Sequence, residues 1–312
     1  MNQLQGQTNV SGEENASTRY HISHRTMYKY SAPVAICQNQ LRMMPRSLKR
    51  QTCETICHHV ETLIKPEPTV TQQHVDYFGN QVIAFSVESL HDELDILVQS
   101  DVTVSKTMEI KSLVSTPWES VLESINNATD PNWLFAKEFQ YNSPRIHRRS
   151  KFAEYAAPSF PQGRPIIEAS LDLTKRIHQD FAYDSKATHV GTTTEESFLL
   201  RAGVCQDFSH VQIACLRSLG IPACYVSGYL RTVPADGKPR MTGADESHAW
   251  ISVYTGPEFG WIDFDPTNAC AADTNHIPIC IGRDYSEVSP MRGVVIGGGV
   301  ATLSVAVDVI EV

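Results

Sequence analysis

The sequence predicts an α+β fold, β-rich at both ends of the chain and helical in the middle. Three observations carry that reading. Residues from about 19 to 115 form a run of short alternating or β-branched segments, and residues 116 to about 220 carry helical spacing punctuated by prolines. A second group of strand-like segments follows Pro222. With 312 residues, 41% apolar and 20% charged, the chain has a globular composition and the length for one large domain or two ordinary ones.

Residues 1–18 (MNQLQGQTNVSGEENAST) hold hardly any bulky apolar side chain and cannot bury enough surface to offset ordering entropy, so a flexible tail is expected there. YHISHRTMYKYS, TCETICHHVETLIKP, HVDYFGNQVIAFSVES and ELDILVQSDVTVSKT then read as strands of an antiparallel N-terminal domain over 19–115. Within it, Tyr77-Phe78-Gly79-Asn80 is a turn signal, because Gly and Asn tolerate the backbone angles of a tight reversal. Residues 116–165 form a junction: WESVLESINN, WLFAKEF and KFAEYAAP are helical or irregular, with prolines at 131, 144, 158, 161 and 165.

A core over 166–282 begins with a helix in which Ile167, Leu171, Leu173 or Thr174, and Ile177 share one side. Thr193 or Thr194 caps a short second helix, with Glu195 and Glu196 placed for its dipole. After Gly203 an amphipathic helix starts at Cys205, its apolar stripe Phe208, Val211 or Gln212, Cys215 and Leu219, and Gly220 followed by Pro222 stops it. ACYVSGYLRTV, SHAWISVYT and GWIDFD follow as strands, the last two joined by the hairpin segment GPEFG. The segment 283–312 ends in GVVIGGGVATLSVAVDVIEV, a β-rich stretch expected to pair with an earlier sheet.

The net charge of −9 and the scattered lysines and arginines argue against a nucleic-acid partner, and RIHRRSK (145–151) reads as a solvated loop. The chain shows neither a secretory pattern at its start nor an apolar run of membrane-spanning length, so a cytosolic location with no membrane partner is expected. In that compartment the eight cysteines stay reduced, mostly as small buried hydrophobes. Cys53-x3-Cys57-His58-His59 has some metal character but lacks a second ligand pair, and an ordinary strand is the better reading.

Chemistry concentrates on three residues. A helix N-terminus presents unpaired N–H groups and partial positive charge, which favour a thiolate, and Cys205 sits at such a start. Period two puts His248, Trp250, Ser252 and Tyr254 on one face of their strand, and Trp261, Asp263 and Asp265 on one face of the next. Neighbouring strands can thereby offer a nucleophile its base and an orienting acid. Spacing alone leaves Asp263 and Asp265 equivalent. His210, five residues after Cys205, points about 140° away around the helix and reads as structural.

GVCQDFSHVQIACLRSLGIPACYVSGYL, DESHAWISVY and GWIDFDPTNA resemble the transglutaminase-like superfamily core, with its Cys, His and Asp motifs in order. HISHRTMYKYSAPVAICQNQLRMMPR and VDYFGNQVIAFSV resemble the β-rich region before this core in bacterial members, and IGRDYSEVSPMRGVVIGG the segment after it. The resemblance implies a papain-like α+β core, with Cys205 as nucleophile, His248 as base and Asp265, in the Asp-Pro-Thr motif, as the residue orienting it. It implies a thioester formed from a peptide or protein amide and resolved by water or by an amine, with no metal or organic cofactor. An oxyanion would meet the Cys205 N–H, with Tyr183 or Gln206 as candidate side-chain donors. Arg217, Arg231, Asp207, Trp250 and Trp261 are expected to serve structure, and Asp245-Glu246 to be solvated acids. The rivals are a non-catalytic binding or scaffold module and a metal-dependent hydrolase built on Cys53, Cys57 and His58 or His59.

Overall fold

A 25-residue strand, β1 (Ser17–Leu41), organises the first sheet of the computed structural model, which describes residues 16–127, 131–232 and 247–312. In chain order β2 (Leu48–Lys49), β3 (Cys53–Lys65), β4 (Val70–Val75), β5 (Gln81–Val87) and β6 (His91–Lys106) follow. Along one edge of β1, residues 17–29 pair with β6 and residues 37–41 with β5; β3 lies beyond β6 and β4 beyond β5, all antiparallel. Period two holds along β6, where Leu94, Ile96, Val98, Ser100, Val102 and Val104 are buried between half-exposed neighbours. Residues 1–15 of the expected tail lie outside the described residues; Ser17 and Thr18, assigned to that tail from the sequence, instead open β1 opposite Ser105 and Val104.

The Tyr77–Asn80 reversal forms with Gly79 at φ +81°, and the Asp76 carboxylate accepts the Phe78 and Asn80 N–H groups at 3.0 and 2.9 Å. Asn80 also does what spacing did not indicate. Its fully buried amide donates to the Ile281 carbonyl and accepts the Ile281 N–H, both at 2.8 Å, pinning the first sheet to the second.

The stretch read as a junction holds α1 (Trp118–Asn127), α2 (Pro131–Glu138) and α3 (Ser150–Ala156). After Pro165 come α4 (Ile166–Asp180), β7 (Ala182–Tyr183), α5 (Thr194–Leu200), β8 (Ala202–Gly203) and α6 (Cys205–Ser218). The α5 cap is Thr193, in a reciprocal box with Glu196. The second sheet contains β9 (Ala223–Leu230), β10 (Ser247–Tyr254), β11 (Trp261–Asp265), β12 (Cys270–Ala271) and β13 (His276–Gly282), in the antiparallel order β12-β11-β10-β9-β13. α7 (Tyr285–Val288), β14 (Met291–Gly297) and β15 (Ala301–Glu311) complete the chain.

Two expectations need correction. α6 is not a one-sided amphipathic helix: residues 207–217 are buried without interruption, because α3, α4 and α5 pack on the side that β9 and β10 leave open. Among its buried polar groups, Gln212 Nε2 donates to Thr174 Oγ1 at 2.7 Å. The strand β13 was not foreseen, since Pro278 interrupts its apolar run; the proline is tolerated because β13 is the sheet's edge and its register breaks between Pro278 and Cys280.

The C-terminal stretch pairs as expected, β14 and β15 lining the other edge of β1. The ladder breaks where Pro33, without an N–H, faces Gly297, Gly298 and Gly299, all at positive φ. One apolar cluster runs from Tyr20, Ile22, Val102 and Val104 of the first sheet through Phe208 and Val211 of α6 to Ile251 and Phe264 of the second. The two sheets also meet through His24 Nδ1 and the Tyr229 hydroxyl at 2.7 Å. The result is the expected α+β arrangement, a cysteine-bearing helix on an antiparallel sheet preceded by an antiparallel β region. Among the described residues no helix is long and apolar enough to cross a membrane.

Candidate active site

Cys205 is placed by a tight strand-to-helix turn. β7 and β8 pair in parallel, Tyr183 opposite Gly203, and Gly203 adopts φ +154° immediately before α6. A Cβ at Gly203 would strike the Asp207 carboxylate. That carboxylate reaches back to accept the Val204 N–H at 2.9 Å and the Thr188 hydroxyl at 2.7 Å, so Asp207 caps the helix, as its place in the first turn suggested. Cys205 is then the first residue of α6, partly buried. The N–H groups of Cys205 and Gln206 meet no acceptor among the described residues, leaving two donors beside the sulfur.

His248 comes from β10. Its cross-strand neighbour is Gly228, where a Cβ would collide with the Trp250 ring and the Ile277 carbonyl, so the glycine lets Trp250 lie flat next to the histidine. His248 Nε2 lies 2.8 Å from Asp265 Oδ2, and the Cys205 side chain is the ring's second hydrogen-bonding and charge partner, leaving Nδ1 for the sulfur. Burial works to lower the His248 pKa; the hydrogen bonds to Asp265 and Cys205, with their charges, override it and push it up to about 10.

Register separates the two candidate carboxylates. Ser252 faces Asp263, which accepts from the Ser252 hydroxyl and from Trp250 Nε1 at 3.1 Å and lies 3.3 Å from Arg50 Nε. Asp263 is therefore committed to structure. Two residues on, Asp265 lies beside His248, fully buried. Its Oδ1 accepts the Thr267 and Asn268 N–H groups at 2.8 and 3.2 Å; its Oδ2 accepts from His248, from Asn268 Nδ2 at 2.7 Å and from His276 Nε2 at 3.1 Å. Burial alone would raise the Asp265 pKa, but the two imidazoles hold it well below the usual carboxylate range.

The structure thus brings Cys205, His248 and Asp265 together. Tyr183 is exposed, its ring 6.3 Å from Phe208 and its backbone paired to Gly203; Gln206 is partly buried directly after Cys205. His276, Asn268 and Asp273 were not foreseen. His276 opens the unforeseen strand β13, and no short-range spacing ties it to a carboxylate eleven residues earlier.

The remaining singled-out residues serve packing. His210 is buried and uncharged, accepting the Tyr285 N–H at 3.2 Å. Arg217, fully buried, donates to the carbonyls of Ala223, Tyr141 and Arg283 and to the Ser143 hydroxyl. Arg231 pairs with Glu311 of β15 at 2.5 Å. Trp261 stacks edge-on with Phe139 and Tyr254; the 145–151 stretch read as a loop ends inside α3, and its Arg149 and Lys151 pair with Glu195. Asp245 and Glu246 lie outside the described residues. His58 Nε2 bonds the Thr103 hydroxyl at 2.8 Å, and Cys53, Cys57, His58 and His59 do not gather as a metal-sized set among the described residues. His248, Asp265 and His276 have donor atoms within 4.8 Å of one another, a metal-sized spacing, but here their hydrogens are engaged with the shared carboxylate.

Comparison with known proteins points to one family. A sequence model described as the Transglutaminase-like superfamily matches residues 154–266, and one described as the Bacterial transglutaminase-like N-terminal region matches residues 20–103. An uncharacterized protein of Mycobacterium tuberculosis is 40% identical over 301 residues, covering 94% of this chain and 92% of its own. A protein-glutamine gamma-glutamyltransferase of Pseudomonas aeruginosa is 25% identical over 189 residues, 58% of this chain but 27% of that protein. A solved structure from Cytophaga hutchinsonii superposes with a TM-score of 0.72 at 19% identity, covering 95% of this chain and 91% of that one, and shares the fold.

Proposed function

Because the chain belongs to the transglutaminase-like superfamily, whose members perform cysteine-based acyl-transfer or peptidase-type chemistry, we propose that it cleaves peptide or isopeptide bonds of protein substrates through a Cys205 thioester. The observation that carries this is the meeting of Cys205, His248 and Asp265, with the carboxylate and base 2.8 Å apart and the Cys205 side chain interacting with the same ring.

The Cys205 thiolate, its proton held on His248 Nδ1, attacks the amide carbonyl carbon. The new C–S bond pushes the π electrons onto oxygen, where the free N–H groups at the head of α6 are supports for the oxyanion. Collapse expels the amine, which takes the His248 proton and leaves a thioester. Neutral His248 then removes a proton from water as the water oxygen attacks, and the acid departs as the sulfur regains its charge. Asp265 stays ionised throughout and holds the ring's direction.

Water needs no second binding site, so hydrolysis is the reading with the fewest parts. Amine transfer is the alternative, favoured by the name of the Pseudomonas relative, and passes through the same thioester. A cytosolic location belongs to the proposal, supported by eight free thiols. Mass spectrometry of peptide and amine mixtures incubated with wild type and with Cys205→Ala separates the outcomes. Cleavage that depends on Cys205 supports hydrolysis, and amine incorporation supports transfer. Neither above the Cys205→Ala background would refute both.

A further inference from the structure

Asp265 Oδ2 carries two imidazoles. His248 Nε2 approaches at 2.8 Å and His276 Nε2 at 3.1 Å, the ring centroids 6.2 Å apart. His276 belongs to a different strand, is 5% exposed, and is held edge-on against Trp250 at 5.2 Å. Its Nδ1 lies 3.1 Å from both the backbone nitrogen and Oδ1 of Asp273. In the neutral ring Nδ1 accepts the Asp273 N–H; in the charged ring it donates to Oδ1. In either state Nε2 carries a hydrogen toward Asp265.

We propose that His276 is a positioning residue for the reaction: its Nε2–H, on the oxygen that also holds His248, fixes the direction of Asp265 and offsets part of its charge. The inference rests on Cys205 and His248 being nucleophile and base. A carboxylate oxygen shared between two donors grips each less strongly than one donor alone. Without His276 the uncompensated Asp265 charge makes the field at Cys205 more negative, which opposes a negatively charged sulfur there. The other titratable and charged groups around this centre include Cys205 of α6, His248 of β10, Asp263 of β11, Cys270 of β12, Asp273, Arg50 between β2 and β3, and Cys53 of β3. Of these, Arg50, Cys53, Asp263 and Asp273 share with His276 the wall of a cavity of about 20 Å³.

The test is the pH dependence of Cys205 alkylation by iodoacetamide, followed by peptide mass spectrometry, in wild type, H276Q, H276N and H276L. Glutamine places an amide N–H where Nε2 stands; asparagine reaches only to Nδ1, and leucine supplies no donor. The expected result is a wild-type acid limb in H276Q. In H276N and H276L the limb should move up by about half a pH unit or more, a roughly threefold slower labelling on that limb. A wild-type limb in folded H276N or H276L, or a limb in H276Q displaced as far as in H276N, would overturn the role. Should H276L not fold, as near-ultraviolet circular dichroism would reveal, the glutamine–asparagine pair decides alone. Wild-type Cys205 labelling no faster than Cys224 would instead sink the parent reading, and this inference with it.

Discussion

The two sheets handle polar groups in opposite ways. In the first, β6 alternates buried and half-exposed residues, and charges such as Arg25 and Asp95 pair at the rim, 2.7 Å apart with the arginine side chain 51% exposed. In the second, β9, β10 and β11 are buried on both faces, and Asp263 and Asp265 sit inside among matched donors. A sheet with one wet face can send its charges to solvent. A sheet without one must match each charge internally, and that internal matching holds the base against its carboxylate.

The sharpest way to break this contrast is to remove the chemistry while keeping the fold. Cys205→Ala and His248→Ala are each expected to lower turnover about a thousandfold or more, the cysteine change with little effect on melting temperature. Near-wild-type turnover in either would refute the assignment. Asp265→Asn should lower activity roughly a hundredfold or more and also cost about 3 kcal/mol in urea unfolding, since two imidazoles lose their charged partner. An activity loss with unchanged stability would mean that the buried carboxylate is less committed to the fold than its contacts imply.

In the first sheet Ile96→Ala, at a fully buried position, is expected to cost about 3 kcal/mol while turnover per folded molecule stays at wild type. A specific loss of turnover there would blur the division between the sheets. A smaller effect follows from pH. The His248 pKa is raised to about 10 from 6.5, so its stabilising contribution is full below about pH 6.5 and disappears as pH rises through about 10. The stability gap between wild type and His248→Ala should therefore shrink across that window, and a gap that widens with pH would contradict the pairing. Smallest of all, Asp95→Ala at the rim should cost under about 1 kcal/mol.

The same contrast explains what could be read in advance. Alternation exposed the strands of the first sheet, and the helix start after Gly203, a threonine cap at 193 or 194 and the GPEFG hairpin announced themselves through local chemistry. What escaped was set by distant partners. Solvent-free packing removed the expected polar face of α6, and Pro278 hid an edge strand. Asp263 and Asp265 have the same periodicity and separate only once register sets one against Ser252 and the other beside His248. His276 reaches Asp265 from the far edge of the sheet, where spacing along the chain carries no message.

Competitive labelling with a thiol-selective alkylator near neutral pH addresses the central claim most directly. Burial pushes the Cys224 thiol up to about 12 and raises that of Cys215 as well, whereas Cys205 faces an imidazolium at a helix head. Wild type should label at Cys205 roughly a hundredfold faster than at Cys215 or Cys224, and His248→Ala should abolish that preference. Equal, slow labelling of all three, or a Cys205 rate indifferent to His248, would contradict it.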